Sequence, residues 1–229
     1  ALTYDPAVGA FRACGANIVT IGLDRSGADI DAIERACRRH RVRAIFLTPH
    51  HQFPTTVSLP PESRLRVLDL ARQFGFAVVE DDYDHEFQFG ARPLLPMASY
   101  APGQVIYVGS LSKLLLPALR VGYIVAPPDV IDSIAYQVSL TDGMGNTLTE
   151  DAAADLILSG DVRRHTRKVT RVYGARRDAF AQALATTMGD IVEYAIPDGG
   201  LAFWLRFRNT GDLDRLEENA EAHGLRFAS

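Results

Sequence analysis

Residues 105–113 read Val-Ile-Tyr-Val-Gly-Ser-Leu-Ser-Lys, a short apolar run that ends in small hydroxylic residues and a lysine. The β-branched and aromatic residues of this run are typical of a buried strand. Similar runs recur through the first half of the chain, at residues 17–21, 44–48, 76–80, 105–108 and 121–126. They alternate with helix-like segments, a pattern that predicts an α/β fold with a mainly parallel sheet and helices on both of its faces.

The helical segments of the first half cover residues 29–40 and 60–74. The second half predicts helices over 129–137, 148–159 and 161–187, short strands near 191–194 and 202–207, and a helix over 212–223. This second pattern is typical of a smaller α+β domain. We expect a large domain over residues 1–160 that lacks its N-terminal part. A linking helix and a truncated small domain follow over residues 161–229, and the boundary is predicted near Gly160.

The composition narrows the class of protein. The chain has 229 residues and a net charge of −4, so it has no basic footprint that would indicate nucleic-acid binding. No apolar run approaches the roughly 18 residues that would predict a membrane span. The two cysteines, Cys14 and Cys37, show no paired spacing and are expected to be buried, reduced thiols of a cytoplasmic protein. Only Lys113 and Lys168 are lysines, so chemistry that needs a side-chain amine has two candidates.

Residues 76–84, FAVVEDDYD, form a second apolar run that ends in polar groups, here four carboxylates and a tyrosine. In parallel sheets, ligands bind beyond the carboxyl ends of the strands. A ligand site is therefore one interpretation, and a solvated acidic turn or a helix N-cap is the other. A magnesium or calcium site is a third, but the spacing is not that of a calcium loop. We expect no metal.

Lys113 lies between the strand and the apolar residues 114–117. An amine in apolar surroundings must find a partner or lose its proton, and an uncharged amine attacks aldehydes. A surface lysine with a buried stem is the alternative interpretation. Ser110, Ser112 and Arg120 are suited to bind a phosphate in the same region. A carboxylate for a pyridine nitrogen, a lysine for an aldehyde and a phosphate site are what pyridoxal 5′-phosphate (PLP) requires.

Three blocks of sequence resemble the MocR family, bacterial regulators of the GntR superfamily. They are residues 48–54 (TPHHQFP), 80–87 (EDDYDHEF) and 109–123, which contains GSLSK and LPALRVGY. MocR proteins join an N-terminal winged helix-turn-helix to an aminotransferase-like PLP domain of fold-type I. The block around Lys113 is shared by fold-type I enzymes in general, whereas the other two blocks together are typical of MocR proteins.

The resemblance implies a role for each matching residue. Asp81 corresponds to the partner of the pyridine nitrogen, Tyr83 to a donor to the phenolic oxygen, and Lys113 to the Schiff-base lysine. Ser110 and Arg120 correspond to phosphate ligands, and Tyr4 to the aromatic residue that stacks on the cofactor ring. The asparagine that usually contacts the phenolic oxygen is absent, and His51 or Gln52 is expected to substitute for it.

Other departures concern the ligand. The glycine-rich phosphate turn upstream of Tyr4 and the C-terminal arginine that grips a substrate carboxylate are absent from the chain. Pro6 stands where members that sense γ-aminobutyrate have an arginine, which argues against that ligand. Arg163, Arg167 and Arg171 form a basic helical stripe that we interpret as a solvated face.

Two hypotheses of function follow from the resemblance. In the first, the chain is the effector-sensing domain of a MocR-type regulator that binds an amino acid or amine and reaches DNA only through a domain absent from this chain. In the second, it belongs to a free-standing aminotransferase. Both predict PLP bound at the same site, a cytoplasmic location without membrane association and, by analogy with fold-type I proteins, a homodimer.

Overall fold

A computed structural model describes residues 2–90, 94–143, 145–209 and 213–226. Its strands are β1 (Leu23–Asp24), β2 (Gly27–Ala28), β3 (Ala44–Leu47), β4 (Ala77–Asp82), β5 (Val105–Ser110), β6 (Gly122–Val125), β7 (Val192–Glu193) and β8 (Arg206–Phe207). Its helices are α1 (Asp5–Ala13), α2 (Ile30–Arg39), α3 (Pro61–Phe74), α4 (Pro128–Thr141), α5 (Thr147–Leu158), α6 (Asp161–Met188) and α7 (Leu213–Ala222). Short 3₁₀ turns cover Met97–Ser99 and Pro117–Leu119.

The central sheet has the strand order β3-β4-β5-β6. The pairs β3–β4 and β4–β5 are parallel, and β6 is antiparallel to β5. The predicted α/β fold with a mainly parallel sheet is therefore confirmed. The carboxyl ends of β4 and β5 lie side by side at the same end of the sheet, since Asp82 is in register with Gly109.

Local signals explain the helix ends. The side chain of Asp29 accepts a hydrogen bond from the backbone N–H of Ala32 and so caps α2. Helix α3 follows Pro60 and begins at Pro61, whose fixed φ suits a first helical position. It ends at Gly75, which adopts the left-handed φ of 70° that favours glycine.

The core lies on one face of the sheet, against α2 and α3. It contains Ile33, Val67, Leu68, Val78 and Val105, all at most 1% exposed. The opposite face is only half-buried and carries alternate strand residues, Phe46, Val79, Ile106 and Val108. Helix α1 contacts this second face through Phe11, whose ring lies 6.2 Å from that of Phe46.

Three predictions of local structure differ from the structure. Residues 17–21 form no strand, since no described strand pairs with them; the hairpin β1–β2 follows instead. The strand expected over 202–207 is limited to Arg206–Phe207, which pairs with β7. Cys14 is exposed at the end of α1, whereas Cys37 is buried as expected. Residue 212, where the last helix was expected to begin, lies outside the described residues.

The second half has the expected helices. Gly160, the predicted domain boundary, has a φ of 76° and directly precedes the long helix α6. The division into two domains at this position stays a prediction. None of the described helices combines the length and the apolar character needed to cross a lipid bilayer.

Candidate active site

Three of the four carboxylates at the end of β4 are occupied by internal contacts. Glu80 is fully buried and accepts hydrogen bonds from the backbone N–H groups of Met97 (2.9 Å) and Ala98 (3.0 Å). Asp84 is 1% exposed, and its Oδ1 lies 2.6 Å from Nδ1 of His51. These two side chains therefore hold loops in place and are not available to a ligand.

Asp82 is the third occupied carboxylate and lies on the core side of β4. Its Oδ2 accepts a hydrogen bond from the Tyr107 hydroxyl at 2.9 Å and lies 3.0 Å from Nδ1 of both His50 and His85. Burial alone would raise the pKa of Asp82. The two histidines, each 3.0 Å from the carboxylate, outweigh burial and hold that pKa well below its usual range.

Asp81 differs from the other three. It lies on the opposite, half-buried side of β4 because successive strand residues alternate in direction. Its side chain has no hydrogen bond or ion pair with any described residue. Burial, and then the negative charges of Asp82 and Asp84, raise the pKa of Asp81 to about 6. A carboxylate in this state is stabilised by a cationic partner.

Lys113 follows β5 in the turn that leads to Pro117–Leu119. Of the two interpretations of Lys113, the exposed amine fits the structure, because Leu111 and Leu114 are buried while Lys113 is exposed. The apolar flanks are therefore explained by the packing of the leucines, and the amine has no hydrogen bond with a described residue. Its exposure leaves the amine accessible to a ligand.

The predicted phosphate ligands surround the same turn. Ser110 ends β5, and its hydroxyl accepts a hydrogen bond from the backbone N–H of Ser112 at 3.2 Å. Arg120 is exposed and has a φ of 53°, a left-handed conformation uncommon for a residue with a side chain. Strained backbone of this kind is frequent at functional sites.

Aromatic rings connect the start of the chain to β4. The ring of Phe53 lies 5.7 Å from that of Tyr4 and 6.3 Å from that of Tyr83. The Tyr83 hydroxyl donates to the backbone carbonyl of His51 at 3.1 Å. Burial, and then the charges of Asp84 and Asp81, raise the pKa of Tyr83, so the phenol stays protonated and remains a donor.

His51 and Gln52, the two expected substitutes for the missing asparagine, are both engaged within the protein. The His51 ring is 3% exposed and paired with Asp84. Gln52 donates to the carbonyls of Leu2 (3.1 Å) and Phe53 (2.5 Å). Their roles toward a cofactor stay predictions.

The turn of Asp198 to Gly200 was not recognised in the sequence as part of this region. The backbone N–H of Gly200 donates to the carbonyl of Phe87 at 2.7 Å, and Gly199 forms an isolated bridge with Gln88. A Cβ at Gly199 would overlap the His51 ring. The adjacent glycines 199 and 200 were the signal, since paired glycines mark a close approach of backbone to its neighbours.

The structure thus places Asp81 and Tyr83 at the end of β4, and Ser110, Ser112 and Lys113 at the end of the neighbouring β5. Asp81 is in register with Val108, so Ser110 lies two residues further along the same face. A carboxylate, an amine and hydroxyl groups therefore lie at the carboxyl ends of two neighbouring strands, where parallel sheets bind ligands.

Comparison with known protein families identifies the family of the chain. Residues 1–225 match the family model "Aminotransferase class I and II". The chain belongs to the class I and II aminotransferase family.

Relatives within the aminotransferase family include both enzymes and regulators. The chain is 31% identical to aromatic-amino-acid aminotransferase 1 of Thermococcus litoralis, over 98% of the chain and 55% of the relative. It is 31% identical to the probable rhizopine catabolism regulatory protein MocR of Rhizobium meliloti, over 98% of the chain and 45% of that relative. It is 34% identical to 2-aminoadipate transaminase of Thermus thermophilus, over 89% of the chain and 52% of that enzyme. The chain thus spans about half the length of these relatives.

Solved aminotransferase structures confirm the fold-type I architecture. The α-aminoadipate aminotransferase LysN of Thermus thermophilus, complexed with N-(5′-phosphopyridoxyl)-L-leucine, superimposes with a TM-score of 0.93 at 31% identity. The match covers 100% of this chain and 59% of LysN. The multiple substrate aminotransferase of Thermococcus profundus gives a TM-score of 0.91 at 28% identity, over 99% of this chain and 58% of that enzyme.

The unpaired carboxylate of Asp81 predicts a pH-dependent stability of the cofactor-free aminotransferase domain. Its folded pKa is about 6, above the ordinary value of 3.8, so its contribution is fully present below about pH 4 and is lost as the pH rises through 6. Asparagine does not titrate, so the free energy of unfolding of Asp81→Asn should fall less than that of the wild type as the pH rises. After a discount for the partial exposure of Asp81, we expect this difference to be about 1–2 kcal/mol. Urea unfolding between pH 4 and 7 measures the difference. The exposed Asp132→Asn is the control and should follow the wild type; an Asp81→Asn curve parallel to wild type would contradict the prediction.

Proposed function

We propose that this chain is a PLP-binding aminotransferase-like domain in which Lys113 holds the cofactor covalently, and that it serves as the effector-sensing domain of a MocR-type regulator. The family assignment indicates pyridoxal 5′-phosphate as the cofactor. The observation that carries the proposal is Asp81 at the end of a central strand, a half-buried carboxylate that has no partner among the described residues.

The residues present fit the groups of PLP. Burial, and then the charges of Asp82 and Asp84, raise the pKa of Asp81 to about 6, and a protonated pyridine nitrogen would supply a positive charge beside it. Lys113 offers an exposed amine for an aldehyde. Ser110, Ser112 and the exposed Arg120 offer a hydroxyl, a backbone N–H and a guanidinium for a phosphate.

When bound, PLP supplies an electron sink that stabilises negative charge at the α-carbon of an amino acid. The protein's part is binding and proton transfer. The Asp81 carboxylate would hold the pyridine nitrogen in its protonated form. The Tyr83 hydroxyl, which here donates to the His51 carbonyl, would turn to donate to the phenolic oxygen. Lys113 Nζ would hold the aldehyde of PLP and, when free, could act as the base that takes and returns a proton.

Two features support the regulator as the parent protein. The sequence contains the MocR-like blocks TPHHQFP and EDDYDHEF, and the relatives include HTH-type regulators in addition to MocR. In this proposal an amino acid or amine binds at the cofactor, and a separate domain outside this chain binds DNA. The domain acts as a cytoplasmic homodimer without membrane association.

A free-standing aminotransferase is the second candidate, because two transaminases match the chain with 31% and 34% identity. The complete polypeptide distinguishes the two. Sustained conversion of an amino acid with a keto acid supports the enzyme. Amine-dependent change in DNA affinity, with negligible turnover, supports the regulator. If no PLP binds at all, both candidates are wrong.

Asp81 is expected to contribute more to PLP affinity than its acidic neighbours. A charge-assisted pair with the pyridine nitrogen is worth roughly 1.5–3 kcal/mol, so Asp81→Asn should weaken binding by about one to two orders of magnitude. PLP titration followed by absorbance measures the dissociation constants. Glu86→Gln, a change in the same acidic segment, is the matched control and should bind nearly as well as wild type. Equal losses in both variants would indicate a diffuse acidic patch and not a specific pair.

A further inference from the structure

Behind Asp81, on the core side of β4, lies a cluster of His50, Asp82 and His85. Oδ2 of Asp82 lies 3.0 Å from Nδ1 of His50 and 3.0 Å from Nδ1 of His85. One ligand atom from each of the three residues lies within 4.8 Å of the others. The site comes from two separate segments, because His50 follows β3 whereas Asp82 and His85 lie at the end of β4.

Hydrogen bonding determines which nitrogen of His50 carries a lone pair. Its Nε2 lies 2.9 Å from the carbonyl oxygen of Leu94, which can only accept, so Nε2 carries the proton. The guanidinium of Arg64 lies further away, at 3.4 Å, and donates to three backbone carbonyls. In the neutral imidazole, Nδ1 of His50 therefore presents a lone pair to the carboxylate of Asp82.

Two buried atoms in this cluster have no hydrogen-bond partner among the described residues, Nδ1 of His50 and Oδ1 of Asp82. The two side chains are 3% and 0% exposed, so water does not solvate them freely. A lone pair facing an anionic oxygen at 3.0 Å is repulsive unless a positive charge lies between or beside them. The cluster therefore requires a cation or an additional proton.

His85 completes the arrangement from the outer side. The amide nitrogen of Gln88 lies 3.3 Å from its Nδ1. In the neutral ring protonated at Nε2, Nδ1 has a single lone pair, so an ion bound there would displace the Gln88 amide. The His85 side chain is 32% exposed, whereas His50 and Asp82 are enclosed. His85 thus gives a small cation a route to the buried ligands.

We propose that His50 Nδ1, Asp82 and His85 Nδ1 form a binding site for a divalent transition-metal ion of the Zn²⁺ or Co²⁺ class. Ligands at about 2.0–2.2 Å from such an ion lie about 2.8–3.1 Å apart at right angles and about 3.3–3.6 Å apart at tetrahedral angles. The two 3.0 Å separations from Asp82 Oδ2 therefore fit right-angled ligands, as in a five- or six-coordinate site. Two imidazoles favour a transition metal over magnesium or calcium, which prefer oxygen ligands.

The surroundings of the cluster are those of a metal site. Metal-binding histidines usually donate their other N–H to a backbone carbonyl or carboxylate, as His50 does to Leu94. The Tyr107 hydroxyl fixes the orientation of the Asp82 carboxylate. Three protein ligands leave at least one coordination position for water. An ion here would join residues 48–52 to the end of β4, directly behind Asp81.

Cobalt titration of the complete polypeptide tests the site. The protein is stripped with a chelator, kept free of PLP, and titrated with Co²⁺ while the visible d–d absorption and bound metal are measured. We expect saturation at one Co²⁺ per chain and displacement by Zn²⁺. His85→Gln, at the accessible position, should weaken binding at least about tenfold. His40→Gln removes an exposed histidine at the end of α2 and should leave the affinity unchanged.

Circular dichroism shows whether each variant is folded, so loss of structure is not mistaken for loss of a ligand. The same titration with folded His85→Gln keeps the test decisive if changes at the buried His50 prevent folding. No saturable cobalt spectrum in the wild type, or equal affinity in wild type and His85→Gln, overturns the proposal. The cluster would then be a protonated hydrogen-bond network.

Discussion

Lys113→Ala is expected to abolish covalent attachment of PLP to the protein. The chain contains only two lysines, and Lys168 lies on α6, far along the chain from the ends of β4 and β5. Alanine removes the amine without placing any new group at an exposed position. Incubation with PLP, borohydride reduction and peptide mapping measure the adduct, which should fall from near-complete labelling of the peptide that contains residue 113 to background.

Lys168→Ala is the matched control, since it removes the other lysine side chain and should leave labelling unchanged. A pyridoxyl group on Lys168 in the wild-type protein would show that the assignment of Lys113 is wrong. Non-covalent affinity should fall less than labelling does, because Asp81, Tyr83 and the phosphate ligands remain. A parallel PLP titration separates the two effects.

Gly199→Ala is expected to destabilise the fold by about 3 kcal/mol, the upper part of the range for overpacking. A Cβ at this position would lie 2.5 Å from the carbonyl oxygen of Phe87 and would also overlap Nε2 of His51. Neither neighbour moves away easily. The Phe87 carbonyl already accepts a hydrogen bond from Gly200, and the His51 ring is held by Asp84. Urea unfolding followed by circular dichroism measures the loss.

Gly103→Ala is the comparison variant, because nothing lies within 4 Å of a Cβ built there. Its free energy of unfolding should stay within about 1 kcal/mol of wild type. A small effect of Gly199→Ala would show that the turn of residues 198–200 can shift away from His51. The described packing between the turn and the end of β4 would then be loose.

Much of the fold could be predicted because its signals are local. Apolar runs marked β3 to β6, and Pro61 and Gly75 marked the two ends of α3. The strand expected at residues 17–21 failed for a non-local reason. A strand requires a hydrogen-bonded neighbour, and composition alone does not reveal whether one is present.

The sequence predicted the family and the position of the site, but not the role of each carboxylate in it. The blocks around Asp81 and Lys113 identified the family, which the comparison with known proteins confirmed. Composition could not separate the four carboxylates of residues 80–84, because their roles depend on partners distant in sequence. Glu80 binds backbone at residues 97 and 98, and Asp84 binds His51. The same limit explains why the sequence left open whether the Lys113 amine is buried, since the direction of each side chain in a turn depends on its packing.

The segment that follows Asp81 is hydrogen-bonded to the turn of residues 198–200, which belongs to the second half of the chain. Within a few residues of this carboxylate, the Phe87 carbonyl accepts from Gly200, and the Phe89 N–H donates to the Asp198 carbonyl at 2.8 Å. The end of β4 and the turn of residues 198–200 are therefore mechanically coupled through a short length of backbone. Because the chain runs from this turn back to β7 and on to β8, the same two hydrogen bonds fasten the end of β4 to the small hairpin of the second half.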